Sequence, residues 1–183
     1  MNSATDVQTL VDLVITGPEA LTSEIAYKTG SRTTLGVITQ LLAQSRKHVI
    51  LSAPYMQPGF GLLAGPMHDA LISALDRNVR VDVISNIKSL NLLREVCAKG
   101  TVPTGLTFFR PRANVEDERR IGTHAKICIA DAQAAYIGSA NFTGPGLSDQ
   151  IEMGLLVRGD TASRLENFCM YCIEVGIFAR CMD

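Results

Sequence analysis

This 183-residue chain has no long apolar run, almost no net charge and no second Cys-x-x-Cys motif. No apolar run reaches the eighteen or so residues that a membrane span needs. The N-terminus also lacks a basic region ahead of its short apolar stretch, residues 10–15. The sequence therefore predicts neither a transmembrane segment nor a signal peptide, and we expect a cytoplasmic protein.

The charges nearly cancel, with a net charge of −1 and a pI of about 6.3. Proteins that live mainly by non-specific phosphate binding are usually more basic, so the overall balance does not favour broad nucleic-acid affinity. The chain is 46% hydrophobic and 19% charged, and it contains no internal repeat or low-complexity tract. This composition is sufficient for a substantial core, and we expect one domain spanning residues 1–183.

The five cysteines are an odd number in a chain without an export signal, which predicts reduced, packed thiols rather than a disulfide framework. Cys169 and Cys172 have a ligand-like spacing. However, no second such pair or nearby histidine completes four zinc ligands. The sequence therefore predicts no metal site.

What the chain does contain is a hairpin pattern within residues 122–141. Two apolar runs, residues 127–130 and 135–137, flank a short polar turn that Asp131 opens. Pairing residue 131 with residue 134 places Lys126 opposite Ser139 and His124 opposite Asn141. Because residues two apart on a strand point the same way, all four side chains then share one face.

This face suits a phosphate or phosphodiester ligand. Lys126, Ser139 and Asn141 offer a point cation and neutral donors for the phosphate oxygens, and His124 offers a nucleophile. The alternative is that these polar side chains are simply solvated at a strand surface.

The spacing of these residues resembles the HKD signature of the phospholipase D superfamily, and Glu152 lies where that family often has a carboxylate. The resemblance implies an α/β fold, a phospholipase D-like mixed β-sheet flanked by helices, which the alternating strand and helix patterns also indicate. The residues that carry it are His124, Lys126, Asp131, Gly138, Ser139 and Asn141.

The resemblance also implies a two-step phosphodiester reaction without metal or other cofactor. One histidine attacks phosphorus, a second protonates the leaving oxygen, and water then releases the phosphohistidine. Two histidines are required, and this chain has one copy of the motif. Family members with a single copy pair as two-fold dimers, so we expect a homodimer with one composite site.

The two acidic motif positions are expected to differ in role. Asp131 is seven residues from His124, over about 20 Å along an extended strand, and should hold the turn rather than touch substrate. Glu152 is the better candidate to orient His124 by accepting its second ring N–H. The family commonly has Asn-x-Glu here, whereas this chain has Gln150 before Ile151 and Glu152, which puts only the role of Gln150 in doubt.

A mixed-charge segment leads directly into His124 and carries most of the candidate substrate-binding cations. Guanidinium groups match phosphate oxygens, so its arginines are candidates for binding the rest of an anionic substrate. An ordinary solvated loop is equally consistent with this charge pattern. The arginines are Arg110, Arg112, Arg119 and Arg120.

Apolar periodicity predicts the remaining elements. The segment after the second strand is glycine-rich, and Tyr55, Met56 and Gln57 at its start are placed to border a substrate cleft or to form an ordinary connection. The predicted strands are 7–15 (an outer strand), 49–53, 79–85, 106–110 and 151–157. The predicted helices are 31–45, 67–76, 89–98 and a final helix capped by Asp160 or Thr161.

A narrower resemblance concerns residues 11–18 and the order of the later elements, which are similar to the phospholipase D-like component of bacterial DISARM antiphage systems. It implies host defence as the context, with nucleic acid as a substrate and other defence proteins as partners. Three functions remain open: a dimeric nuclease or other phosphodiesterase, a phospholipase or phosphatidyl transferase, and a non-catalytic subunit of a defence complex.

Overall fold

The computed structural model describes residues 10–56, 61–62, 64–97, 104–112 and 122–181. Within these residues, nine strands form a mixed sheet in the order β2-β1-β8-β7-β6-β3-β4-β5-β9. The strands are β1 (Val11–Thr16), β2 (Arg32–Thr33), β3 (His48–Ser52), β4 (Arg80–Ile84), β5 (Leu106–Pro111), β6 (Lys126–Ala130), β7 (Ala134–Gly138), β8 (Glu152–Arg158) and β9 (Phe178–Arg180). The helices are α1 (Glu19–Thr29), α2 (Thr34–Gln44), α3 (Pro66–Asp76), α4 (Ile87–Cys97), α5 (Gly144–Ser148) and α6 (Asp160–Glu174).

The sheet is buried on both faces at its centre. β3 runs parallel to β4, and β4 runs parallel to β5, while β3 pairs with β6 antiparallel. Along β3 the side chains alternate: Val49 and Leu51 join the larger core, which includes α2 and α3, whereas Ile50 joins the core under α6. A strand covered on both sides must be apolar throughout, which explains the unbroken Val49–Leu51 run.

The predicted fold class, a mixed β-sheet flanked by helices, is confirmed. The predicted helices at 31–45, 67–76 and 89–98 correspond to α2, α3 and α4, with ends displaced by at most three residues. Four elements were not predicted: α1, β9, the two-residue β2, which lies within the predicted helix 31–45, and the five-residue α5. α1 has no buried residue and therefore no apolar face to reveal it, and β9 is only three residues long.

Two details of the sequence prediction are wrong. β1 is not the outermost strand, because β2 pairs along its free edge. The final helix is capped by neither Asp160 nor Thr161, because its N-cap is Gly159, whose φ of 71° lies in the left-handed region.

The hairpin forms as predicted, but its register is shifted by one residue. Asp131 and Ala132 both have positive φ, 54° and 57°, and the turn closes with the Gln133 N–H donating to the Ala130 carbonyl. Ala134 rather than the predicted Ala135 pairs with Ala130, so the loop contains three residues instead of two. Lys126 therefore lies opposite Gly138, and the predicted pairings of Lys126 with Ser139 and of His124 with Asn141 are wrong.

Asp131 holds the turn to the neighbouring strand, and its carboxylate does not reach the other motif residues. Its two oxygens accept three backbone N–H groups, from Arg46, Lys47 and His48, at 2.8, 2.8 and 2.9 Å. Burial alone would raise the pKa of Asp131, but these hydrogen bonds outweigh burial and lower it. Asp131 thus holds the start of β3 against the turn between β6 and β7.

Replacing Asp131 by asparagine is expected to lower the free energy of unfolding by about 1–2 kcal/mol near neutral pH, because one acceptor oxygen and the charge are lost. Asparagine tolerates positive φ, so the turn itself is preserved. Since the pKa of Asp131 is lowered on folding, its contribution is present above the unfolded pKa and disappears as the pH falls through the folded value. Urea unfolding as a function of pH tests this, with the exposed Asp160→Asn as control; equal loss at acidic and neutral pH would refute the charge-based role.

Candidate active site

The motif residues lie along one edge of the sheet. β6 begins there with Lys126, β7 ends there with Gly138, and β8 begins there with Glu152. The register runs Lys126 to Gly138 to Gly154 across the three strands. We call this edge, with the segment that precedes β6, the site edge.

The Glu152 carboxylate accepts a hydrogen bond from Ser139 and lies near enough to Lys126 to act on its charge. The Ser139 hydroxyl donates a short hydrogen bond to Glu152 and accepts the backbone N–H of Met153 at 3.1 Å. Burial lowers the pKa of the Lys126 ammonium, and the negative charge of Glu152 opposes that shift. These contacts bring together three of the predicted site residues despite the shifted register, because Ser139 still follows the Gly138 end of β7 directly.

His124 is exposed two residues before β6. The Lys126 ammonium donates to the backbone carbonyl of His124 at 3.0 Å, which ties the two motif residues together. Among the hydrogen bonds of the described residues, none joins the His124 ring to Glu152. In the single chain, Glu152 therefore does not orient the His124 ring through a direct hydrogen bond. Its carboxylate accepts a hydrogen bond from Ser139 instead.

Ser52, at the end of β3, holds the segment that carries His124. Its hydroxyl donates to the Ala125 carbonyl at 3.3 Å and lies 3.2 Å from the Thr123 hydroxyl. The side chain is buried. Sequence reasoning missed Ser52; the only signal was its place at the carboxyl end of a buried strand, where sites tend to assemble.

Asn141 lies in a tightly packed turn next to the site. Its Oδ1 is buried, and among the described residues no donor bonds to it. The backbone of Gly146 packs directly on the backbone of Asn141, since a Cβ at position 146 would stand 2.4 Å from the Asn141 carbonyl oxygen. A glycine at position 146 therefore sets the position of Asn141.

Gly138 and Gly154 make room for a buried aromatic ring below the site. A Cβ on Gly138 would lie 2.3 Å from the Tyr136 hydroxyl oxygen, and a Cβ on Gly154 would lie 2.6 Å from the Tyr136 ring. Tyr136 itself is completely buried. This explains the predicted structural role of the motif glycine: the ring occupies the space that a side chain at either position would need.

Two of the four candidate arginines can be placed. Arg110 and Arg112 lie at the carboxyl end of β5, on the same edge of the sheet as Lys126, but β4 and β3 intervene between β5 and β6. Three strand spacings amount to roughly 14 Å. They are thus placed for a remote part of an extended substrate rather than for the reacting phosphate, while Arg119 and Arg120 lie outside the described residues.

Of the three predicted cleft residues, Tyr55 is exposed after β3, whereas Met56 is buried and forms a bridge with Phe142. Gln57 lies outside the described residues. Of the predicted cleft residues that the structure describes, Tyr55 is the one that is exposed near the site edge.

A buried charge cluster at the opposite end of β3 was not predicted. The His48 ring lies between the carboxylates of Asp82 and Glu166, each 2.9 Å from one of its nitrogens. Burial lowers the pKa of His48, but the hydrogen bonds to Asp82 and Glu166 more than compensate and raise it. His48 therefore links β3, β4 and α6 through two hydrogen bonds that favour its protonated form, and it is not available to the site edge.

The remaining histidine and the cysteine pair are also accounted for. His68 lies in the first turn of α3, partly exposed and 3.3 Å from the neighbouring Asp69 carboxylate. Cys169 and Cys172 are free thiols on the buried face of α6. Neither feature belongs to the site edge.

Comparison with known proteins defines the family. The family described as "Cardiolipin synthase, PLD-like domain" matches residues 38–168, which include every residue of the motif. The chain belongs to the phospholipase D superfamily. It is accordingly a phosphodiesterase of that superfamily, and the site edge is where its family motif lies.

Three solved structures have a similar fold. The chain is similar to Nuc of Salmonella typhimurium, a phospholipase D family member (14% identity, TM-score 0.64, 96% of this chain and 100% of that chain covered). It is similar to NucT of Helicobacter pylori (13%, 0.65, 91% and 97%). It also resembles the phosphatidylserine synthase of Haemophilus influenzae Rd KW20 (14%, 0.67, 94% of this chain but 40% of that chain). No curated protein matches it by sequence.

Ser52→Ala is expected to reduce kcat about fivefold with little change in KM, because losing roughly 1 kcal/mol of hydrogen bonding loosens the segment that carries His124. Steady-state kinetics on a chromogenic diester measures this. Ser73→Ala, at an exposed position of α3, serves as the control. An unchanged kcat for Ser52→Ala would show that the tether does not position the site.

Proposed function

We propose that the protein is a metal-independent, nuclease-type phosphodiesterase that forms a phosphohistidine at a site shared across a homodimer. The observation that supports this most is the site edge: an exposed His124 beside a Lys126–Glu152–Ser139 cluster in a superfamily domain. His124 is the nucleophile, and Lys126, Ser139 and Asn141 surround the phosphate oxygens.

A second histidine is needed to protonate the leaving oxygen, and the chain offers only two others. His48 is held between two carboxylates, and His68 is paired with Asp69 on α3. The second histidine is therefore His124 of another copy. Arg110 and Arg112, together with Arg119 and Arg120, bind the remainder of the anionic substrate.

The preference for a nucleic acid over a lipid is drawn from the arginines that lead into His124, because guanidinium groups suit a polyanionic substrate. Among the described helices, none is long and apolar enough to cross a membrane. The cytoplasm and antiphage defence are the proposed setting, with other defence proteins as partners; this context depends on the sequence resemblance of residues 11–18 and the element order alone.

Phosphatidyl transfer is the second candidate, favoured by two comparisons. The matching family is described as a cardiolipin synthase domain, and one structural neighbour is a phosphatidylserine synthase. The same histidine chemistry acts on a lipid diester, so the substrate decides between the candidates.

The test is turnover in EDTA on single-stranded DNA, double-stranded DNA, RNA, a chromogenic diester and phosphatidylglycerol vesicles. EDTA suppresses contaminating metal-dependent nucleases but leaves histidine chemistry intact. Cleavage of a nucleic acid supports the proposal. Turnover of the vesicles alone would replace it with the lipid reaction, and a folded dimer inert on every substrate would indicate the non-catalytic subunit.

A further inference from the structure

Three buried hydroxyl groups lie beneath the site edge. They belong to Thr16, Thr34 and Tyr136, which are 2%, 1% and 0% exposed. Within the part of the chain that the structure describes, none of the three hydroxyl oxygens has a hydrogen-bond partner. Buried polar groups of native proteins nearly always have a partner, either another protein group or an ordered water. These oxygens therefore indicate a partner other than the described side chains.

The strand register places two of the hydroxyls beside Glu152. Thr16 is the partner of Glu152 across β1 and β8. On the other side of β1, Ile15 pairs with Thr33 in the parallel ladder with β2, so Thr34 comes next to Thr16. Neighbouring strands lie about 5 Å apart. A row of polar residues therefore runs along the site edge from Thr34 through Thr16 to Glu152.

Tyr136 brings the third hydroxyl towards this row from β7. Its ring lies over Gly138 and Gly154, and its hydroxyl oxygen occupies the space where a Cβ of Gly138 would stand. Gly138 pairs with Gly154, which is two residues from Glu152 on β8. The phenol therefore points along the sheet towards the site edge.

The surroundings of the phenol show which groups it approaches. Burial raises the pKa of Tyr136, the negative charge of Glu152 raises it further, and the Thr34 side chain and the Ala140 backbone lower it. Thr34 and Ala140 act on this pKa because they lie beside the phenol oxygen, although neither is in hydrogen-bonding geometry with it. The phenol oxygen thus lies between the start of α2 and the segment that carries Asn141.

We propose that the hydroxyls of Thr16, Thr34 and Tyr136 hold a buried water molecule that also contacts Glu152, and that Tyr136 is, through this water, a positioning residue for Glu152. A buried water typically makes about three hydrogen bonds to groups that otherwise lack a partner. A hydroxyl both donates and accepts, so Tyr136 donates to the water and the water donates to the carboxylate. The water thereby fixes the carboxylate that accepts from Ser139. The consequence for catalysis rests on the proposed function.

Tyr136→Phe tests the positioning role, because it removes the hydroxyl and keeps the ring that fills the space over the two glycines. With a chromogenic diester, kcat is expected to fall about tenfold while KM changes by less than about twofold, since the loss loosens Glu152 rather than a contact to substrate. Tyr27→Phe, at an 85% exposed position of α1, is the matched control and should behave as wild type. An unchanged kcat for Tyr136→Phe would overturn the positioning role.

Two replacements of Thr34 test whether its hydroxyl and that of Tyr136 act through one water. Thr34→Val removes the hydroxyl at nearly constant volume and should lower kcat as Tyr136→Phe does, whereas Thr34→Ser retains the hydroxyl and should keep the wild-type kcat. The double variant Tyr136→Phe/Thr34→Val should lose little more than either single variant, because the first change already removes the shared water. Additive losses would show that the two hydroxyls act separately.

Thermal unfolding and crystallography test the water without reference to activity. A bridged hydroxyl stabilises the fold, so the Tm of Tyr136→Phe is expected to fall by about 2–4 °C. Removing an unpaired buried hydroxyl would instead leave Tm unchanged or raise it. A high-resolution crystal structure should show a water within hydrogen-bonding distance of Tyr136, Thr34 and Thr16.

The outcomes separate this inference from the proposed function. An active enzyme whose kcat and Tm are unchanged by Tyr136→Phe overturns the inference and leaves the function intact. A wild-type protein without phosphodiesterase activity, whose Tm nevertheless falls in the variant, contradicts the function and supports the water. A direct hydrogen bond between Tyr136 and Thr34 in the crystal, with no water beside it, overturns the water.

Discussion

Replacing His124 by alanine is expected to lower phosphodiester turnover by about 10³-fold or more, because the variant loses both the nucleophile and, through the second copy, the general acid. The residual phosphate-binding groups, Lys126 and Ser139, remain in place. KM should change far less than kcat, since substrate binding does not depend on the imidazole. Turnover in EDTA on the preferred substrate provides the measurement.

His68→Ala is the control for this prediction, because His68 lies on α3 with Asp69 as its hydrogen-bond partner. It should retain wild-type activity. A His124→Ala variant with the same kcat as wild type would exclude phosphohistidine chemistry at the site edge. Loss of activity in both variants would instead show that the effect is not specific to His124.

The second large effect concerns stability. Replacing His48 by leucine is expected to lower the free energy of unfolding by about 3 kcal/mol near pH 6, because it leaves two buried carboxylates without their shared cation. The Asp82 and Glu166 side chains are only 5% and 15% exposed. Arg80, whose Nε is 3.5 Å from Asp82, compensates in part. Urea unfolding at a fixed protein concentration measures the difference.

The same cluster predicts a direction for the pH dependence. Folding raises the pKa of His48, so the stability it confers is complete below the unfolded value, about 6.5, and is lost as the pH rises through the folded value. The gap between wild type and His48→Leu should thus narrow on going from about pH 6 to about pH 9. His68→Leu, with a partly exposed side chain, should stay within about 0.5 kcal/mol of wild type at both pH values. A gap that widens with pH would contradict the histidinium.

The sequence was sufficient to predict the hairpin and the family, but not the register between its strands. Register depends on whether the turn has two or three residues, and Asp131 and Ala132 adopt positive φ without a glycine to signal it. The Lys126–Glu152–Ser139 cluster forms nevertheless, because all three residues lie at strand ends on one edge. Three of the candidate site residues therefore lie at the same edge, although their strands pair in a different register from the predicted one.

Contacts between segments far apart in the sequence could not be predicted from sequence patterns. Ser52 reaches Thr123 and Ala125 across more than seventy residues, and His48 reaches Glu166 across 118. The hydrophobic pattern around a serine or histidine beside an apolar run shows only that a strand ends there. It does not show whether that residue positions or bridges other segments. Only the topology, which sets β3 between β6 and β4 and places α6 over it, brings these partners together.

The account's central claim, one site built from two copies of His124, is tested most directly by mixed dimers. Wild-type and His124→Ala chains with different affinity tags are co-expressed, and the dimer that carries both tags is isolated and assayed on the preferred substrate in EDTA. A composite site needs both histidines, so the mixed dimer should be nearly as inactive as the His124→Ala homodimer. Half of the wild-type activity would show that each chain works alone, and it would contradict the claim.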